Sequence, residues 1–166
     1  MDSPLSPTLA EIFMENLEER VFTTGNTKHY PLFFKRYVDD MFAVSKIGNE
    51  EMFLEHLNHI YPDNITFTME KEVEQKLPFL DALFIRGRDH FRTTVYRKPT
   101  YSGEYLHFNS HHPKSVFMGI VSGMVDRALN ICDEEFLCDE LRHIERTFMQ
   151  NGYPKQLVRA HHSKEN

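Results

Sequence analysis

Two adjacent aspartates, Asp39 and Asp40, stand between apolar, β-prone runs in Lys35-Arg36-Tyr37-Val38-Asp39-Asp40-Met41-Phe42-Ala43-Val44, with no glycine to relax a turn. Such runs around a short polar break predict a tight hairpin with acidic side chains at its tip. Period-two alternation places Phe33, Lys35, Tyr37 and Asp39 on one side of the rising strand and Phe34, Arg36 and Val38 on the other. The two like charges repel, and no cation stands beside them within the turn. A divalent ion would relieve both problems, because hard cations prefer carboxylate oxygens. The plainer reading makes both aspartates ordinary turn residues, a position that Asp favours.

Around this hairpin the chain alternates between helical and strand periodicity. Ser6 and Pro7 read as a cap and a first helical residue. Leu9, Ile12, Phe13, Leu17 and Val21 follow at helical spacing, opposite Glu11, Glu15, Glu18 and Glu19. Thr23 to Tyr30 reads as a loop. A helix is predicted from about Asn49 to Tyr61, with Met52, Phe53, Leu57 and Ile60 as its stripe. Ile65 to Glu70 alternates like a half-buried strand. Leu77 to Ile85 reads as a second strand and Phe91 to Tyr96 as a third, together a small meander.

Arg97 to Pro113 is irregular. Beyond it Val116, Ile120, Met124 and Leu129 mark one helix, and Phe136, Leu137, Leu141, Ile144 and Phe148 another. Asn151-Gly152-Tyr153-Pro154 stops that helix and restarts a short one through about Arg159. The expected fold class is α+β, with residues 1–109 mixed, 110–160 all helical and 161–166 a disordered tail.

At 166 residues, 40% hydrophobic and 13% aromatic, the chain has enough apolar material for a packed core. A formal charge of −6 argues against a grip on nucleic acid by the whole surface. From Arg86 to Arg127, however, seven basic residues (Arg86, Arg88, Arg92, Arg97, Lys98, Lys114, Arg127) face three acidic ones, a local excess. Cys132 and Cys138 lack the spacing and partners of a zinc site and read as reduced thiols. His107, His111 and His112 read as structural or solvated. With no secretory signal and no apolar run of membrane-spanning length, an intracellular protein, nuclear or cytoplasmic, without membrane contact is expected.

Tyr37-Val38-Asp39-Asp40 between hydrophobic strands resembles the metal-binding hairpin of reverse transcriptases. Met1-Asp2-Ser3-Pro4-Leu5-Ser6-Pro7 and the helix after it are similar to the motif preceding that hairpin in those enzymes. Further on stand Leu77-Pro78-Phe79-Leu80-Asp81, Val95-Tyr96-Arg97-Lys98-Pro99-Thr100 and Tyr105-Leu106-His107-Phe108. Ser110-His111-His112-Pro113 and Asn151-Gly152-Tyr153-Pro154 complete the series. In that order, and over nearly the whole chain, it resembles the reverse transcriptases of Penelope-like retroelements, relatives of telomerase.

The resemblance implies a partial polymerase palm followed by a helical, thumb-like bundle. It implies RNA-directed DNA polymerase chemistry by two-metal nucleotidyl transfer, with Mg²⁺ or Mn²⁺ as cofactor and an RNA/DNA primer–template as partner. Asp39 is then the principal metal ligand, Asp40 supports it, and Tyr37 lies beneath the nucleotide or primer end. Ser3, Pro4 and Leu5 help to position template and incoming base. Phe79 and Leu80 belong to a primer-grip hairpin, Arg97 and Lys98 contact phosphate, and Tyr101 stacks on a base or sugar.

The further aspartate of the family lies on a strand before the Ser-Pro-Leu-Ser-Pro turn, and neither that strand nor the fingers is in this sequence. Asp2 also stands where family members have glycine. The expectation is therefore a fragment that is catalytically incomplete alone, with the apolar face of its first helix left uncovered. The alternative is a non-catalytic module that binds nucleic acid or protein. The helical end has a helix-turn-helix look, but its middle helix is acidic (Asp133, Glu134, Glu135, Asp139, Glu140), which disfavours insertion in a DNA groove.

Overall fold

The computed structural model describes residues 6–162, so the expectations for Ser3, Pro4 and Leu5 and for residues 163–166 lie outside it. The fold is α+β: small antiparallel sheets followed by a C-terminal helical region. Packing divides the chain into two units, Met1–Lys71 and Glu72–Asn166. The change from strands to helices near residue 110 thus falls inside the second unit.

In the first unit, α1 (Ser6–Thr24) leads through a 3₁₀ turn at Thr27–His29 to β1 (Phe33–Tyr37), β2 (Asp40–Val44) and α2 (Glu50–Ile60). Leu17 and Val21 of α1 and Phe53 and Leu57 of α2 form the core, with Phe34 and Met41 of the hairpin packed on it. The expected stripe of α1 is buried only in its second half. Leu9 and Ile12 are exposed, and Met14, which the spacing argument passed over, is buried. Gly25 lets the loop pass close to α2, since a Cβ there would lie 2.5 Å from His56 Nε2.

Ile65 to Glu70 is not a strand. Its residues alternate in burial as a strand's would, but among the described residues they have no ladder partner. Asn58 supplies one instead, accepting from the Phe67 N–H at 2.6 Å and donating to the Phe67 carbonyl at 3.1 Å. Ile65 and Phe67 are thereby held on the core.

The second unit begins with the meander β3 (Lys76–Phe79), β4 (Ala82–Arg86) and β5 (Phe91–Val95). The expected single strand from Leu77 to Ile85 is therefore two, turning at Leu80 and Asp81. No glycine or asparagine marks that turn, so its apolar run disguises it. Then come α3 (Lys114–Ile131), α4 (Glu134–Gln150) and α5 (Lys155–His162), the last running past the expected start of a disordered tail. The buried row of α3 is Phe117, Val121, Val125 and Ala128. Val116 and Leu129 are exposed: the helix is apolar over a wide arc, and spacing alone does not choose between adjacent rows. Sheet and helices are clasped by Thr93, whose Oγ1 donates to the Ile131 carbonyl at 2.6 Å and whose own carbonyl accepts from Asp133 N–H at 2.9 Å.

The irregular segment 97–113 is a strap tied down by the Asn151-Gly152-Tyr153-Pro154 turn. Asn151 Oδ1 accepts from Tyr105 N–H at 2.9 Å, and Asn151 Nδ2 donates to the Gly103 carbonyl at 2.9 Å. The Asn151 carbonyl accepts from Phe108 N–H at 3.0 Å, and the Tyr153 hydroxyl donates to the Leu106 carbonyl at 2.9 Å. Two motifs far apart in sequence are thus one joint.

Gly152 sits at φ +82°, and a Cβ on it would lie 2.9 Å from the His107 ring. Gly152→Ala is expected to cost about 1–3 kcal/mol in urea unfolding, the range for a strained backbone position. Gly123→Ala, in α3 with nothing within 4 Å of the added carbon, is expected to gain about 0.5–1 kcal/mol.

Candidate functional site

The acidic hairpin turns on Val38 and Asp39, with Tyr37 paired to Asp40. Val38 adopts φ +56° and Asp39 does not join it in the left-handed region, the pattern of a type II′ turn, which ordinarily places glycine first. Directly opposed residues of an antiparallel pair share a face. It is therefore Asp40, not Asp39, that lies on the face of Tyr37, while Asp39 occupies the bend itself. Tyr37, Val38 and both aspartates are exposed, and neither aspartate joins an ion pair among the described residues.

Below the tip lies Arg36, whose side chain is only 9% exposed. Its Nη1 donates to the Val38 carbonyl at 2.9 Å. Nη1 and Nη2 also take Glu11 at 3.0 and 2.7 Å, and Nε takes Glu18, both glutamates being on α1. The hydrogen bond from Arg36 holds the Glu11 carboxyl below its ordinary pKa. Arg36 had no assigned role in the sequence reading. Its signal was available: alternation places a charge on the inward face beside Phe34.

Asp39 and Asp40 offer hard oxygen donors, the right kind for Mg²⁺ or Mn²⁺. Among the described residues no group of three or more His, Cys, Asp or Glu side chains is gathered as a metal site. The donor chemistry fits; the donor number, two carboxylates, is partial.

The second unit carries a second such tip. Leu80 adopts φ +52° and is followed by Asp81, and Phe79 pairs with Ala82 across the turn. Leu80 is exposed and Phe79 half-buried. The Asp81 carboxylate meets Arg127 of α3 at 3.0 Å, and Arg127 also donates to the Tyr96 carbonyl at 3.1 Å.

The expected phosphate contacts part company. Arg97 is committed to Glu140 of α4, a carboxylate only 7% exposed, through both Nη atoms, and its guanidinium lies 5.5 Å over the Tyr101 ring. Lys98, next in sequence, is exposed and outside any ion pair among the described residues. Tyr101 donates to the Tyr105 hydroxyl at 3.2 Å, and burial raises the Tyr105 pKa well above its usual value. Tyr105 also packs against Phe148, so it is a core group and Tyr101 its rim.

The basic excess between Arg86 and Arg127 is largely spent on structure. Arg86 pairs with Glu72, Arg92 with Glu135, Arg97 with Glu140 and Arg127 with Asp81, all four of those acids lying outside the stretch from Arg86 to Arg127. Arg88, Lys98 and Lys114 are exposed and join no ion pair among the described residues. On α5, Lys155 and Arg159 both reach Glu145 at 3.1 Å.

A family model for the animal helix-turn-helix domain matches residues 104–163. That span takes in part of the strap and α3 to α5. No curated protein and no solved structure matches the chain. No described helix is long and apolar enough to cross a membrane.

Removing Arg97 leaves Glu140 buried and unpaired. Arg97→Ala is expected to cost about 3 kcal/mol in denaturant unfolding, whereas Arg97→Met combined with Glu140→Leu should restore most of it. His143, beside this pair, has its pKa lowered from 6.5 by burial and then by Arg97. The fold therefore binds fewer protons than the unfolded chain in that range. Stability is full above about 6.5 and falls as pH drops toward the folded value. Melting temperature should fall more steeply from pH 7.5 to 5.5 in the wild type than in His143→Gln.

Proposed function

We propose that this chain is part of a Penelope-like reverse transcriptase, carrying the acidic hairpin of the palm and the helices of the thumb, and that it binds an RNA/DNA primer–template. One observation carries the reading. Two of the motifs in the series, Tyr37-Val38-Asp39-Asp40 and Phe79-Leu80-Asp81, both form hairpin tips with an apolar residue at positive φ followed by aspartate. Strain of this kind persists where surroundings enforce it, and it clusters at functional sites.

At the first tip Asp39 and Asp40 present carboxylate oxygens, and Tyr37 offers a flat exposed face beside Asp40. A Mg²⁺ or Mn²⁺ ion bound there would lower the pKa of a primer 3′-hydroxyl and steady charge on the transferring phosphate. Two carboxylates fall short of a two-ion ligand set, so the chain alone is read as a binder rather than a polymerase. At the second tip Leu80 offers an exposed apolar contact. Lys98 supplies free charge on the strap. Lys114 opens α3, whose N-terminus has no acidic residue in its first turn and no side-chain cap, an arrangement that favours phosphate oxygens.

The match at residues 104–163 favours a second reading, a DNA-reading helix-turn-helix. The helix after the glycine-bearing turn, α5, would be the reading helix. Its Lys155 and Arg159 are held by Glu145, and α4 is acidic, so backbone contact is the better-supported mode.

Fluorescence anisotropy with the full chain separates these readings. Binding to a primed RNA template is expected to weaken steeply with salt. Lys98→Ala with Lys114→Ala should lower affinity about tenfold and reduce the salt slope by about two. Affinity unchanged by salt, or tighter binding to duplex DNA than to the hybrid, would sink the primer–template reading. With deoxynucleotides and Mg²⁺, primer extension should not exceed that of Asp39→Ala.

A further inference from the structure

We propose that Arg36 is a positioning residue for the acidic tip: it carries the rigidity of α1 to the Val38–Asp39 peptide and so fixes where the Asp39 carboxylate points. The inference deepens the reading of that tip as a metal site, and one of its two readouts is independent of that reading.

Val38 is branched at Cβ and sits at φ +56°, a region such residues resist. The residue is 59% exposed, so packing around Val38 does little to hold it there. The restraint comes through the backbone. Arg36 Nη1 holds the Val38 carbonyl oxygen, which belongs to the peptide unit that leads into Asp39. Fixing that oxygen fixes the plane from which the Asp39 side chain departs.

Arg36 is itself fixed from the other side. Glu11 and Glu18 lie seven positions apart on α1, hence on one face, and take its Nε, Nη1 and Nη2 donors. Leu17, next to Glu18, is fully buried, so this part of α1 is anchored in the core. The planar guanidinium fork reaches three groups at once, the Glu11 and Glu18 carboxylates and the Val38 carbonyl. A lysine ammonium keeps the charge but cannot span them.

Charge and geometry predict opposite signs. Taking a cation away from two carboxylates should, by Coulomb's law alone, strengthen cation binding at the tip, and freeing Glu11 and Glu18 should strengthen it further. Loss of position should weaken it, as losing an outer-shell partner does at metal sites. Arg36→Lys isolates geometry, and Arg36→Gln sets the two effects against each other.

The first readout is ¹⁵N relaxation of the Val38, Asp39 and Asp40 amides in the metal-free full chain. In Arg36→Lys their order parameters are expected to fall from about 0.85 to below about 0.6, with those of Leu17 and Val21 unchanged. The second is tyrosine-sensitised Tb³⁺ luminescence, with Tyr37→Phe identifying the tip's share of the signal. Both Arg36→Lys and Arg36→Gln should weaken that share of binding about tenfold. Unchanged tip order, equal loss of order in α1, or tighter Tb³⁺ binding in Arg36→Gln would each overturn the positioning role. If wild type gives no Tyr37-dependent signal, the metal reading of the tip fails and the relaxation data alone decide the role of Arg36.

Discussion

A side chain branched at Cβ meets its own backbone in the left-handed region, yet Val38 turns the first hairpin there, and Leu80 turns the second in the same region. Each position costs on the order of 1–3 kcal/mol and holds only if the surroundings leave no alternative. In both units the surroundings include an arginine. Arg36 grips the Val38 carbonyl from below, and Arg127 pairs with Asp81 while holding the Tyr96 carbonyl beside it. Tyr96 N–H in turn donates to the Asp81 carbonyl at 2.7 Å, closing the ring around the second tip. A guanidinium can do this because its donors are rigidly spread, so that one side chain can fix a backbone oxygen and a carboxylate together.

Burial turns these contacts into obligations. Arg97 and Glu140 are largely withdrawn from water, and neither could remain so without the other. The same requirement explains why a basic count along the sequence overstates a basic surface. The partners of Arg92 and Arg97 come from α4, more than forty residues later, and cancel charge that a linear window leaves standing. Between Arg86 and Arg127, Arg88, Lys98 and Lys114 are left outside any ion pair among the described residues. With a net charge of −6, that remainder suits the modest, salt-sensitive hold on a nucleic-acid backbone proposed above better than an extended electrostatic grip.

Much of this was legible in the residues. The acidic hairpin, α2 and the helical end followed from periodicity, and the Asn151-Gly152-Tyr153-Pro154 break fell where α4 stops and α5 restarts. Three things were hidden, each for a physical reason. The turn at Leu80 uses an apolar residue where turn chemistry leads one to expect glycine or asparagine. Phe67 satisfies its N–H and carbonyl through the Asn58 side chain, and a side chain imitating a strand leaves no pattern. Arg36 and Glu140 look like ordinary surface charges until their inward-facing positions are taken seriously: β1 alternation for the one, the Glu140–Ile144 row of α4 for the other.

The strap has a consequence for how the second unit comes together. Its ties to Asn151 and Tyr153 join residues 43 to 48 positions apart, and it has no helix or sheet ladder of its own. Closing so long a loop is unfavourable until α3 and α4 already hold the two ends near each other. We therefore expect the strap to dock late and to share the bundle's cooperative transition instead of opening alone. Hydrogen exchange at the Tyr105 and Phe108 amides is then a gauge of whole-unit unfolding. Exchange there much faster than at Val121 would show that the strap opens on its own.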